Sequence, residues 1–162
     1  MKKLQQGFTI IELTIYIALM SVLILVISRI FISALDIQVE SESVSSVQQD
    51  GRFIISRLAR DISIAENIVV PASAGATTTS LTVTVNGQNK TYSLVGNDLR
   101  ISDSLGTDDL NSALTDVEEL SFQRIGNPDG KATIRVNLTL SSLENTGVTG
   151  NTHNFQTTIG TR

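Results

Sequence analysis

An apolar run that begins at Phe8 and continues to Ile27 follows a short leader, Met1 to Gln6, whose charges are Lys2 and Lys3, with Gly7 at the junction. Basic residues ahead of a spanning segment mark the end that stays in the cytoplasm, so the remainder of the chain is expected on the far side of the membrane. A carboxylate, Glu12, stands only four residues inside the run. At the bilayer centre such a charge costs about 2.5 to 3.5 kcal/mol on insertion scales, so it needs a partner or an exit to water. A secretory signal peptide predicts a shorter apolar stretch of about 7 to 15 residues ended by a small-residue cleavage motif, and neither is present. A plain single-span anchor accounts for the length but not for Glu12 or the glycine–phenylalanine boundary. An apolar core helix of a soluble protein accounts for neither.

The residues Gly7, Phe8, Thr9, Ile10, Ile11 and Glu12, reading GFTIIE behind Lys2 and Lys3, resemble the type III signal of type IV pilins and of the pseudopilins of type II secretion. The resemblance implies that a membrane peptidase, the prepilin peptidase, cuts between Gly7 and Phe8 and that Phe8 becomes N-methylphenylalanine. Glu12 is then the fifth mature residue, and in that family this glutamate meets the terminal amine of a neighbouring subunit as apolar helices bundle into a filament. A buried carboxylate is tolerated when paired and costly when alone, which agrees with such a role.

With 162 residues the chain has room for an anchor and one modest domain. Its formal charge is −4, and loss of Lys2 and Lys3 leaves ten basic against sixteen acidic residues, a net −6. Direct nucleic-acid binding is therefore not expected, because that rests on Lys and Arg neutralising phosphates. Cysteine is absent, which removes disulfides, thiolate chemistry and cysteine metal sites together. Many pilins carry a C-terminal disulfide loop, which this chain cannot form.

From Phe8 to about Asn67 the only helix-weakening residue is Gly51, and Pro71 follows soon after. Sixty helical residues would make a rod of roughly 90 Å. The first half, to about Leu35, is apolar almost all round, interrupted by Ser28 and Arg29; Arg29 is expected to snorkel to the outer interface as a simple anchor. In the second half Val44, Val47, Gly51, Ile54, Leu58, Ile62 and Ala65 recur at spacings of three and four, which predicts one buried face. Asp50, Arg57, Arg60, Asp61 and Glu66 are expected elsewhere, with Arg57 and Asp61 as an exposed pair worth a few tenths of a kcal/mol.

The small, polar stretch Ala72 to Ser80 reads as a loop. Strands are predicted around Leu81, Val83 and Val85, after an Asn86–Gly87 turn around Tyr92 and Leu94, then at Leu99 and Ile101. Further strands are expected at Leu120 and Phe122, at Ile134, Val136, Leu138 and Leu140 after a turn at Asn127 to Gly130, and at Phe155 and Ile159 after a glycine- and asparagine-rich loop. The predicted fold is α+β, pilin-like, with a long N-terminal helix packed on an antiparallel sheet. The predicted division is residues 1–7 as leader, 8–35 as the membrane and assembly half of the helix, 36–67 as its amphipathic half, and 68–162 as a β-rich head.

Residues Arg52 to Ala65, RFIISRLARDISIA, are similar to the helix segment of W-type minor pilins and J-type pseudopilins. The strands around Leu120–Phe122 and Ile134–Leu140 and the final segment Phe155–Arg162 resemble that group as well. Many members of the wider family have a helix-bending proline near the end of the membrane half, where this chain has Arg29, a departure that bears on any role as a major subunit. No enzymatic activity is expected: the sole histidine, His153, has no cysteine or carboxylate partner in sequence and reads as solvent-exposed. Asp103 to Asp109, DSLGTDD, offers carboxylates to a hard cation but lacks the spacing of a calcium loop, so no metal and no cofactor are expected. The Asn-x-Thr triplets at Asn89 and Asn137 carry no glycosylation meaning on a bacterial or archaeal-type route.

The resemblance implies a minor pilin or pseudopilin, partnered by other pilin subunits through the N-terminal helix, by the prepilin peptidase, by an inner-membrane assembly platform and by membrane lipid. It implies a single-pass inner-membrane protein with an extracytoplasmic C-terminal domain, later part of a surface pilus or periplasmic pseudopilus. The alternative is a single-span envelope protein with an adhesive or substrate-binding ectodomain, and the next is an exported enzyme.

Overall fold

A computed structural model describes residues 7–126, 131–143 and 152–162. The leader lysines Lys2 and Lys3, the turn expected at Asn127 to Gly130 and the glycine-rich loop expected before Phe155 lie outside the described residues. One long helix, α1 (Ile10–Ser63), precedes nine strands. The chain divides into two compact units, Met1–Val39 and Glu40–Arg162.

In the first unit α1 carries Ile, Leu, Val, Met and Phe on every side, and every described residue is exposed. A helix apolar all round has no polar face to turn to water, so its natural surroundings are hydrocarbon or other helices. It is long and apolar enough to cross a membrane.

In the second unit α1 buries Ser43, Val47, Gly51, Ile54, Leu58, Asp61 and Ile62. That set is the three-and-four stripe of an amphipathic helix, with Val44 only half-buried at its margin. α1 ends at Ser63, short of the expected boundary at Asn67, because the Glu66 amide donates to Thr84 O at 2.9 Å and the β-branched run Ile68 to Val70 enters a sheet. Arg60 in the last turn complements the carbonyl end of the helix dipole.

The strands form two antiparallel sheets. In the first, β1 (Asn67–Val70), β3 (Ser80–Val85), β4 (Gln88–Val95), β5 (Asp98–Asp103) and β6 (Gly106–Asp109) lie in the order β1-β3-β4-β5-β6. In the second, β2 (Thr77–Thr78), β7 (Thr115–Ile125), β8 (Thr133–Ser142) and β9 (Thr152–Gly160) lie in the order β2-β7-β8-β9. The Asn86–Gly87 turn has φ of 51° and 72°, the two left-handed positions that a two-residue hairpin requires, and it sets Val85 opposite Gln88. That register places Leu81 beside Tyr92 and Tyr92 beside Ile101, all buried. In the second sheet Leu138 pairs with Leu120 on one side and Phe155 on the other.

The stretch Ala72 to Ser80, expected as loop, contains the short β2, which pairs with Gln123 and Phe122 of β7. Arg124 holds it in place: Nη1 donates to the carbonyls of Ile68, Pro71 and Ala72 at 3.3, 3.2 and 2.8 Å. The two sheets meet at β7, whose Val117 amide donates to Asn97 O at 2.9 Å. Between helix and sheets lies one core of Val47, Ile54, Leu58 and Ile62 with Leu81, Tyr92, Leu99, Phe122, Ile134, Val136, Leu138 and Leu140.

Candidate processing and assembly site

Gly7, Phe8 and Thr9 precede the first turn of α1 without helical structure. A Cβ placed at Gly7 would meet nothing within 4 Å, so nothing in the described chain itself demands glycine there. Phe8 is exposed and its ring stands edge-on to Tyr16 at a centroid separation of 6.1 Å.

Thr9 caps the helix. Its carbonyl accepts from the Leu13 amide at 3.1 Å, and its Oγ1 accepts from the Glu12 amide at 3.3 Å. The same hydroxyl reaches Glu12 Oε2 at 3.5 Å. Thr9 and Glu12 thus occupy the first and fourth positions of a capping box, and the Thr9 hydroxyl satisfies the Glu12 amide that an uncapped first turn leaves open. A carboxylate in the first turn also faces the positive end of the helix dipole. Glu12 lies about 6 Å along the axis from Phe8 at 1.5 Å per residue. The structure therefore brings Phe8, Thr9 and Glu12 together at one helix end, with Gly7 immediately outside it.

The other candidate residues are dispersed. Asp103 Oδ1 accepts from the amides of Leu105 and Gly106 at 2.7 and 3.2 Å, and Asp109 Oδ1 pairs with Arg100 Nε at 2.6 Å. These carboxylates are engaged in turn and strand contacts, and among the described residues no group of three or more His, Asp or Glu side chains is placed to hold a metal. His153 sits half-buried on β9 opposite Leu140.

Two expectations are corrected, for Asp61 and for Asp50. Asp61, read as part of an exposed pair, is 2% exposed. Its Oδ2 accepts from Tyr92 Oη at 2.5 Å and from Lys90 Nζ at 3.3 Å, with Arg57 Nε at 3.6 Å. Asp61 directly precedes Ile62 on the edge of the apolar stripe, and β4 rises against that edge, so the carboxylate is covered by the sheet instead of by water. Burial, then the hydrogen bond to Asp61, pushes the Tyr92 hydroxyl well above its ordinary range. Asp50, also expected on the solvent side, accepts at Oδ2 from the amide and hydroxyl of Ser112 and from Thr115 Oγ1, at 2.9, 2.7 and 2.6 Å. Both carboxylates fasten α1 to segments distant in sequence, and no local pattern announces them.

No curated protein and no solved structure matches the chain significantly. The family model described as the prokaryotic N-terminal methylation motif matches residues 2–28. The chain thus carries the prepilin cleavage signal of type IV pilins and pseudopilins, on a fold with one long N-terminal helix packed against antiparallel sheets.

Proposed function

We propose that this chain is a minor pilin or pseudopilin, a structural subunit of a type IV pilus or of a type II secretion pseudopilus. The observation that carries the reading is the GFTIIE junction inside the matched motif, followed at once by an apolar helix with no cover from its own chain. A signal of this kind implies processing by a prepilin peptidase and assembly with other pilin subunits, and it points to a structural protein. Together with the apolar helix it marks a membrane-anchored, surface or periplasmic protein.

On this reading residues 1–7 are removed as a leader and Phe8 is N-methylated. Residues 8–35 hold the subunit in the inner membrane beside the assembly platform, residues 36–67 are the amphipathic half of the helix, and residues 68–162 form an extracytoplasmic head packed on it. Glu12 then meets the Phe8 amine of a neighbouring subunit. Its place one turn inside the helix supports this, since a carboxylate leaving the membrane boundary for an apolar bundle requires a counter-charge. The Thr9 cap holds it at that depth.

Intact mass of the protein taken from native membranes tests the reading. The expected species lacks Met1 to Gly7 and carries one added methyl at Phe8. A mature N-terminus downstream of Leu35, or an uncut chain in cells with an active prepilin peptidase, would overturn it.

A further inference from the structure

Of the outer edges of the two sheets, those of β1, β2 and β6 are blunted. β1 carries a bulge between Ile68 and Val70 and runs into Pro71, β2 is two residues long, and β6 is four residues long and ends in Asp108 and Asp109. Such devices stop a sheet from pairing onward. β9 has none of them. Its nine residues hold no proline and no Lys, Arg, Asp or Glu, and its register against β8 runs without a shift from Thr152 to Gly160. It ends the order β2-β7-β8-β9, so one row of its amides and carbonyls faces no strand among the described residues.

The core is open along the same edge. Ile134, Val136, Leu138 and Leu140, the inward residues of β8, are 0% exposed, whereas Phe155 and Thr157 on the inward side of β9 are only half-buried. Phe155 lies against Gly51, on the margin of α1 opposite Asp50 and Asp61, which are bound to the Ser112–Thr115 segment and to β4. On the β9 margin Gln48, Arg52, Ile55 and Ala59 recur at i, i+4, i+7 and i+11, within about 60° of one another around the helix. Ile55 and Ala59 are half-buried against the core, and Arg52 is exposed with no ion pair among the described residues. A slit thus runs between this line and the free edge of β9, apolar within and bordered by one positive charge.

We infer that β9 takes an added antiparallel strand, an extended acidic segment of a protein other than this chain, whose alternate apolar side chains close the slit and whose carboxylate meets Arg52. Strand addition draws affinity from the main chain and specificity from alternate side chains. The uncharged edge sets no sign of its own, so Arg52 selects an acidic segment. A second copy offering its own β9 is excluded by direction. Phe155 lies at Gly51 and the Arg162 amide donates to Ser63 O at 3.1 Å, so β9 runs along α1 in the same sense. Two β9 strands paired antiparallel, as every strand pair here is, would turn the two helices head to tail, with their Glu40 ends on opposite sides. Each Glu40 end continues into an apolar half, and one membrane face cannot receive both. The inference stands apart from the processing at Gly7 and from entry into a filament.

The test uses the full chain in detergent and a labelled peptide probe of about six residues, valine alternating with threonine, with an aspartate at the C-terminal end. Antiparallel addition sets that end beside Phe155 and Arg52. Fluorescence anisotropy should show saturable binding, and a probe of the same composition with its valines grouped should not bind. Arg52→Glu should weaken binding about fivefold, and a probe with lysine in place of the aspartate should restore it. Successive residues of a strand turn their amides to opposite sides, so of Gln156→Pro and Thr157→Pro one breaks a bond to β8 and lowers the melting temperature. The other faces the free edge and should abolish probe binding while the melt holds. Should both variants melt early, the Arg52 charge swap decides. No saturable binding, equal binding of the grouped probe, indifference to Arg52→Glu, a well-folded proline pair that still binds, or a dimer of the chain alone that excludes the probe would each overturn the inference.

Discussion

Tyr92 on β4 donates its hydroxyl to Asp61 of α1 at 2.5 Å, inside a core where Tyr92 is fully buried and Asp61 nearly so. The proton on that hydroxyl is retained in the folded chain far above the pH at which an unfolded tyrosine releases it, about 10. Once the pH passes about 10, the unfolded state binds fewer protons than the folded state, and stability falls as pH rises. Below that value the contribution is fully present. Thermal melts of the detergent-solubilised chain should therefore drop above about pH 10, and Tyr92→Phe should remove that part of the drop while costing about 1.5 to 3 kcal/mol at neutral pH. An unchanged alkaline limb in Tyr92→Phe would show that the hydroxyl is not the group responsible.

Gly51 is the second such contact. A Cβ there would stand 2.2 to 2.7 Å from three ring atoms of Phe155, so helix and ring approach as closely as a glycine allows. Gly51→Ala gains up to about 1 kcal/mol of helix propensity. The overlap costs about 1 to 3 kcal/mol, and the net effect expected is destabilisation. Phe155→Leu in the Gly51→Ala background should recover part of the loss, a coupling that a double-mutant cycle of melting temperatures measures.

Asp50 gathers three donors from the Ser112–Thr115 segment onto one oxygen. Asp50→Ala should lower stability by about 1.5 to 3 kcal/mol, because it leaves those donors to find water at a partly buried site. Faster amide exchange at Ser112 is the local readout. Exchange unchanged there would mean the segment is held by its strands alone.

Glu12→Leu should leave membrane insertion and cleavage intact and sharply reduce incorporation into filaments. On the proposed function, Glu12→Leu leaves a Phe8 amine without its counter-charge, and removing one partner of a buried ion pair costs on the order of 3 to 5 kcal/mol. The fraction of tagged subunit in sheared filaments, compared at equal membrane levels, measures it. Normal incorporation would show that the carboxylate serves only the Thr9 cap.

Local pattern alone determined the class of this protein. The GFTIIE junction, the apolar run behind it, the three-and-four stripe from Val47 to Ile62 and the alternation from Ile134 to Leu140 each state their structure within a few residues, because helix and strand periodicities are properties of the backbone. The Asn86–Gly87 hairpin was legible for the same reason, since only a few residue types accept two left-handed positions in succession. Tertiary packing decided what no window of sequence contains. It divided the strands into two sheets meeting at β7, ended α1 at Ser63 in favour of pairing with β3, and placed β2 within an apparent loop under the Arg124 clamp. It also turned Asp61 from an exposed charge into a buried acceptor for Tyr92 and Lys90. A carboxylate at the margin of an apolar stripe faces water or protein according to which strand lies over it, and that depends on residues about thirty positions away, beyond the reach of any helical period.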